Sequence, residues 1–201
     1  MRENGTASEH GTGLRSRLVE SGVALVAEGG VHALTLREIA RRAGVSHGAP
    51  RRYFPTHVAL LSAIARRGFD DLADRVAGNI GDSFGGNPRD QLVALGRSYL
   101  DFALGNRGMF ELMFRHDLLK SDHLGLRETS LPLFATLTEL VSRAQPATGT
   151  PPRIVAGALW ANLHGVAQLW GAGSLQLATG TDDVEPLLRA TLEAHLGPEA
   201  R

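Results

Sequence analysis

The sequence predicts an all-α protein in two parts, and three observations carry that expectation. Apolar residues recur every three or four positions from Leu14 onward. No alternating apolar–polar pattern lasts four residues. Glycine and proline fall between the periodic stretches. The 201 residues suit one or two small domains, and 43% hydrophobic with 21% charged residues is the composition of a folded chain. The absence of cysteine excludes disulfide scaffolds, thiolate zinc sites, iron–sulfur centres and cysteine nucleophiles together. No apolar run approaches the roughly 18 residues of a membrane span. Residues 1–13 are polar, with Glu3 and Glu9, unlike a secretory signal. A cytoplasmic protein without a membrane partner is expected.

Residues 1–13 lack apolar periodicity and read as a disordered tail. Leu14, Leu18, Gly22 and Leu25 mark a first helix that Gly29-Gly30 ends. Thr35-Leu36-Arg37-Glu38 has the form of a capping box before a short second helix, which Gly44 stops. Ser46 is positioned to cap a third short helix through Tyr53, and Pro55-Thr56 restarts the chain. A long fourth helix carries Leu61, Ile64, Leu72 and Val76 and ends near Gly78. A loop over 81–88 precedes a fifth helix with Leu92, Leu95, Tyr99 and Phe102, then a compact segment from Met109 to Phe114. The next helix runs to about Ala144, with Pro132 in its first turn or kinking it. After a break at 145–152, residues 154–170 are apolar on nearly all sides, and 184–195 form a last amphipathic helix. Eight or nine helices are expected, with no internal repeat.

Charge is distributed unevenly along this neutral chain. Residues 14–67 hold nine arginines against Glu20, Glu28 and Glu38, a net +6, while residues 68–201 carry −5. A basic front of this kind is suited to a polyanion. Within it, two short helices meet at a tight turn between Ala43 and Ser46. A helix-turn-helix needs a small residue at the crossing, a glycine in the turn and apolar residues at the corner; Ala40, Gly44 and the set Ile39, Ala43 and Val45 supply them. The second helix of such a pair enters the major groove, here presenting His47 to Arg52. Pro50 falls four residues after Ser46 and removes the first helical hydrogen bond, which predicts a tightened or irregular first turn.

Thr35-Leu36-Arg37-Glu38-Ile39-Ala40, Ala43-Gly44-Val45-Ser46-His47-Gly48 and Phe54-Pro55-Thr56 with Ala59-Leu60-Leu61 are the motifs of a known domain. Over 14–61 the chain resembles the DNA-binding domain of TetR-family transcriptional regulators. The resemblance implies a homodimer on double-stranded DNA, with two recognition helices in successive major grooves of a palindromic operator, and repression relieved by a small ligand. Carried over by position, Thr35, Arg37, Ser46, Tyr53 and His57 would touch phosphate, while His47, Ala49 and Arg51 would face bases. Arg51 is best suited to bidentate guanine readout; Arg52 serves either role or neither. Arg51, Tyr53, His57 and Pro50 depart from the residues common in the family, which bears on operator sequence.

In the rear part, Trp160, His164 and Gln168 form one column on a helix, and Gly157 and Gly165 remove side chains beside it. This region resembles TetR-type regulators whose C-terminal domain bears a Trp-x-x-x-His-Gly motif, here Trp160 to Gly165, with an aromatic segment from Tyr99 to Phe114. It implies a ligand-binding and dimerising domain. The expectation is a mostly apolar pocket lined by Tyr99, Phe102, Met109, Phe110, Met113, Trp160 and His164. Asn162, His164 and Gln168 are the candidate polar groups for a small hydrophobic effector. Dimerisation is expected through 152–172 and 184–196, and coupling to DNA through the helix over 58–76. The organisation is thus a tail over 1–13, a helix-turn-helix domain over 14–57, and a ligand-binding and dimerisation domain over 58–201. The bland alternatives are a solid core without ligand and a structural His164.

His116-Asp117 and Asp122-His123 have liganding chemistry but lack a third strong ligand, so no metal is expected. There is no Gly-x-Ser-x-Gly elbow, no His-Glu-x-x-His and no phosphate-cradling Gly-Lys loop, and Lys120 is the only lysine. Neither an enzyme nor a cofactor is expected. The rival class is a helical small-molecule-binding or interaction protein that binds no specific DNA.

Overall fold

A computed structural model of the 201-residue chain describes residues 5–81, 87–115, 117–118, 126–144 and 149–198. Among them the secondary structure is entirely helical: α1 (Gly5–Gly29), a 3₁₀ turn (Val31–Ala33), α2 (Leu36–Arg42), α3 (Ala49–Tyr53), α4 (His57–Gly81), α5 (Pro88–Gly105), α6 (Arg107–Met113), α7 (Leu126–Ala144), α8 (Pro152–Gly171), α9 (Ser174–Thr179) and α10 (Glu185–Leu196). Two short helices exceed the sequence expectation. The residues around Met109 form α6, and α9 is a six-residue helix between Gly173 and Gly180 that buries nothing, so it leaves no periodic signal. The first helix starts at Gly5, inside the segment read as a tail. No proline interrupts residues 5–13, and a helix nucleated around the buried Leu18 and Val19 extends one residue at a time. Pro132 lies inside α7, because that helix already begins at Leu126.

The chain divides into two compact units, Met1–Asp70 with Asn106–Thr129, and Asp71–Gly105 with Ser130–Arg201. This differs from a linear boundary at 57/58. The first part of α4 and all of α6 pack with the N-terminal helices.

In the first unit, Leu18, Leu25, Val26, Ile39, Phe54, Leu60 and Ile64 are buried between α1, α2, α3 and the start of α4. Met109 and Met113 of α6 occupy the space that a side chain at Gly68 of α4 would need. Phe114 meets Phe110 and Phe69 edge-on, with centroids 4.9 and 5.7 Å apart. On its other side α6 leans on α1 so closely that a methyl group at Gly108 would stand 2.6 Å from the carbonyl oxygen of Val26.

In the second unit, α5, α8 and α10 pack on one another around Leu92, Leu95, Phe102, Leu159, Leu163, Leu188 and Leu192. Leu188 reaches over Gly96. At the surface Glu185 bridges Arg97 (2.6 Å) and Arg189 (3.1 Å), and Arg89 donates to the carbonyls of Gly197 and Pro198 beyond the end of α10.

The Val26 carbonyl is backbone and cannot swing aside. Gly108→Ala is therefore expected to destabilise the chain by about 1–3 kcal/mol, the range for overpacking. Denaturant unfolding reads this as a lower midpoint at unchanged slope. An unchanged midpoint contradicts the packing of α6 on α1.

Candidate nucleic-acid interface

The interface is built on the turn between α2 and α3. Thr35 caps α2, its Oγ1 accepting the Glu38 N–H at 3.2 Å. The reciprocal half of the expected capping box is absent. The Thr35 N–H already donates to the Ala33 carbonyl, and the Glu38 carboxylate turns to Arg41, a charged partner. At the other end Gly44 has φ of +68°, the left-handed conformation that a side chain disfavours. It closes a Schellman motif: the Val45 N–H reaches the Ala40 carbonyl (3.0 Å) and the Gly44 N–H the Arg41 carbonyl (3.1 Å). Arg17 of α1 donates to the Ala43 carbonyl at 3.4 Å. That residue, 26 positions away, gives no signal in local periodicity.

Ser46 is not the side-chain cap of α3. The cap position is Gly48, and the helix proper begins at Ala49. Pro50 has no N–H to give the Ser46 carbonyl, so the Ala49 N–H takes it at 2.9 Å in a tighter, three-residue turn. The irregular first turn expected from Pro50 is thus present. Ala49 and Pro50 are both buried. This corrects the expectation that Ala49 faces bases: its methyl packs inside the unit.

The charged residues fall into two sets. Arg41 pairs with Glu38 and Arg42 with Glu28, each at 2.5 Å. Hydrogen bonds from these guanidinium groups hold both carboxylates below the usual range. By contrast, Arg51 and Arg52 are exposed and make no hydrogen bond or ion pair among the described residues. Thr35, Arg37, Ser46 and His47 are also exposed, whereas Tyr53 is half-buried. Thr35 keeps its hydroxyl hydrogen to donate, since its cap bond uses only the oxygen.

His57 is committed differently. Its Nε2 lies 2.7 Å from the Leu34 carbonyl, which only accepts, so Nε2 carries the hydrogen. The Nε2 hydrogen is therefore not available to a phosphate. His57 instead ties the start of α4 to the segment before α2. Thr56 caps α4 by accepting the Ala59 N–H at 3.0 Å, and Arg15 of α1 sits over the Phe54 ring at 5.0 Å.

The residues expected to line one pocket divide between the two units. Met109, Phe110 and Met113 are buried in the first. In the second, the Tyr99 hydroxyl accepts from the Trp160 indole N–H (3.2 Å) and shares a hydrogen bond with His164 Nδ1 (2.9 Å). Phe134 meets Trp160 edge-on at 6.1 Å, and Arg153 lies over the Phe134 ring at 5.4 Å. Phe102 is buried, while Trp160 is 40% exposed. Asn162 and Gln168 are exposed, and Asn162 lies 3.5 Å from His195. Burial pushes the Tyr99 phenol well above its ordinary value, the Trp160 hydrogen bond only partly opposing it. Burial also holds His164 below the ordinary imidazole value.

No group of three metal-ligating side chains occurs among the described residues. Asp117 pairs with Arg115 at 2.7 Å; His116, Asp122 and His123 lie outside the described residues. No helix among the described residues is long and apolar enough to cross a membrane.

The lowered His164 fixes a sign for pH dependence. The unfolded chain takes up a proton near the ordinary value of 6.5, and the folded chain resists it. Stability from this group is therefore full above that value and falls as pH drops through it. Between about pH 7.5 and about pH 5.5 the wild type is expected to lose more melting temperature than His164→Gln. Equal losses contradict a half-buried imidazole that resists protonation.

Residues 92–195 match the family described as "Tetracyclin repressor-like, C-terminal domain", and residues 18–64 the family "Bacterial regulatory proteins, tetR family". The chain is 38% identical over 61 residues to the HTH-type transcriptional repressor KstR of Rhodococcus jostii (strain RHA1), covering 30% of this chain and 29% of that protein. It is 33% identical over 87 residues to the HTH-type transcriptional regulator BetI of Yersinia pestis (strain Pestoides F), covering 43% and 44%. The matches thus span less than half the length of either relative. Among solved structures, a protein of unknown function from Rhodococcus sp. RHA1 superposes with a TM-score of 0.76 at 26% identity, over 91% of this chain and 93% of the other.

Proposed function

The chain belongs to the TetR family of bacterial regulatory proteins, and on that premise we propose that it is a repressor that binds a palindromic duplex operator as a homodimer and leaves it when a small hydrophobic effector binds. The observation that carries the DNA-binding part is the pair Arg51 and Arg52, exposed and uncommitted directly after a glycine-closed turn. Thr35, Arg37, Ser46 and His47 add donors for phosphate or base edges around it.

The proposed dimer face lies on α8 and α10. Ile154 is 62% and Leu169 50% exposed, and Ala158 and Ala161 lie exposed between them at helical spacing. No Asp, Glu, Lys or Arg occurs between Arg153 and Asp182. An exposed apolar stripe of this kind is expected to be covered, and paired half-sites about 34–36 Å apart require two recognition helices.

For the effector, Tyr99, Trp160 and His164 offer a linked polar edge with aromatic surface beside it, a composition suited to a hydrophobic ligand with one or two polar groups. Met109, Phe110 and Met113 are buried where they pack, so the effector site is proposed on the second unit's residues alone. Coupling runs along α4, which contributes residues to both units. Release requires an effector that prefers the non-binding spacing of the two recognition helices; equal affinity for both states shifts nothing.

Titration with the duplex upstream of its own coding sequence tests the reading. The expected outcome is two chains per duplex by sedimentation, with log affinity falling linearly in log salt at a slope of about −0.9 per phosphate contacted. Absence of salt-dependent binding to any promoter duplex in effector-free protein contradicts it and favours a helical binding protein that meets no DNA.

A further inference from the structure

Residues 44–57 contain no asparagine, glutamine, aspartate or glutamate. Bidentate readout of adenine needs a carboxamide, and readout of cytosine N4–H₂ uses a carboxylate; bidentate readout of guanine O6 and N7 uses the paired donors of a guanidinium. This stretch of chain is equipped for guanine and lacks the side chains for strong readout of the other bases.

Position then distinguishes the two arginines. Successive residues of a helix are separated by about 100° around its axis. In α3 the buried residues Ala49 and Pro50 fix the inward direction. Arg51 then lies within roughly 30° of the direction opposite their midpoint, and Arg52 about 70° away from it, on the flank next to Ala49. Arg51 therefore stands at the crest of the exposed face. Neither guanidinium is held by a carboxylate, as those of Arg41 and Arg42 are, so both are available to a ligand.

We propose that Arg51 is the specificity-determining residue of the recognition surface, that the base it reads is guanine, and that Arg52 supplies phosphate attraction without base preference. The inference rests on the DNA-binding reading and adds to it the chemical identity of the half-site. Every half-site this protein selects contains a guanine at a fixed position, because the only other guanidinium of the turn and of α3, that of Arg52, stands on the flank of the helix.

Selection from a random duplex pool, repeated with Arg51→Ala and Arg52→Ala, tests this. Both side chains are exposed, and matching far-UV circular dichroism confirms that the variants fold. Wild type is expected to enrich duplexes with a guanine fixed in each half-site. Replacing that pair by A·T should weaken binding roughly 5- to 140-fold, the 1–3 kcal/mol of a bidentate contact at 1.4 kcal/mol per tenfold. Arg51→Ala should lose this discrimination. Arg52→Ala should keep it while weakening all duplexes alike and reducing the salt slope by about 0.9. Salt-dependent duplex binding with no fixed guanine, or with a guanine preference that survives Arg51→Ala, overturns the guanine assignment and leaves DNA binding standing. Loss of discrimination in Arg52→Ala alone overturns the division of roles. A protein that binds no duplex at any salt removes both readings together.

Discussion

The turn at Gly44 is the constraint on which the basic end of the molecule depends. Its positive φ lets the chain reverse within one residue, and two backbone hydrogen bonds to Ala40 and Arg41 hold it there. Ile39 and Ala40 before the turn, and Ala49 and Pro50 after it, are buried. Burial on both sides leaves little freedom in where the next residues point. Arg51 and Arg52 are outside because Ala49 and Pro50 are inside. A non-glycine residue at position 44 keeps the space it needs but loses the conformation.

Nine arginines do not make nine equivalent cations. Glu38 and Glu28 each bind one guanidinium through two hydrogen-bonded oxygens. These surface pairs contribute little to stability. Their consequence is local neutralisation on and beside α2, so that the net charge is concentrated elsewhere. Arg15 covers Phe54 and Arg17 binds the Ala43 carbonyl, which assigns two more of the nine to holding α1 against the helices that follow. Arg51 and Arg52, which no carboxylate holds, follow the turn.

Most of the helical architecture was legible in the sequence, because apolar spacing and the glycine–proline punctuation report burial directly. The motif from Thr35 to Ser46 located the turn, and Pro50 announced the irregular start of α3. What escaped depended on contacts between distant residues or on competition for one donor. The capping box failed by half because the Thr35 N–H had a nearer acceptor in Ala33, and Glu38 a cation in Arg41. His57 carried the right chemistry for phosphate, yet the Leu34 carbonyl holds its Nε2 hydrogen. Ala49 occupied a base-facing register position but is buried at the start of α3, beside the buried Pro50. The aromatic residues read as one pocket belong to two units, a division invisible in one-dimensional spacing because α6 follows α5 directly while packing with α1 and Gly68. Small helices such as α9 bury nothing and therefore leave no pattern to read.

The division of the arginines into committed and free pairs is the central claim, and a comparison of two double variants on one duplex tests it most directly. Binding is measured at fixed salt for Arg41→Ala/Arg42→Ala and for Arg51→Ala/Arg52→Ala, after both are shown to fold. Removing the carboxylate-bound pair uncovers Glu38 and Glu28 but deletes no donor that is free to reach DNA, so it is predicted to act only through the screened field and to cost roughly tenfold or less. Removing the free pair is predicted to cost roughly a hundredfold or more, combining a base contact with a phosphate contact. Equal losses from the two double variants would contradict the account.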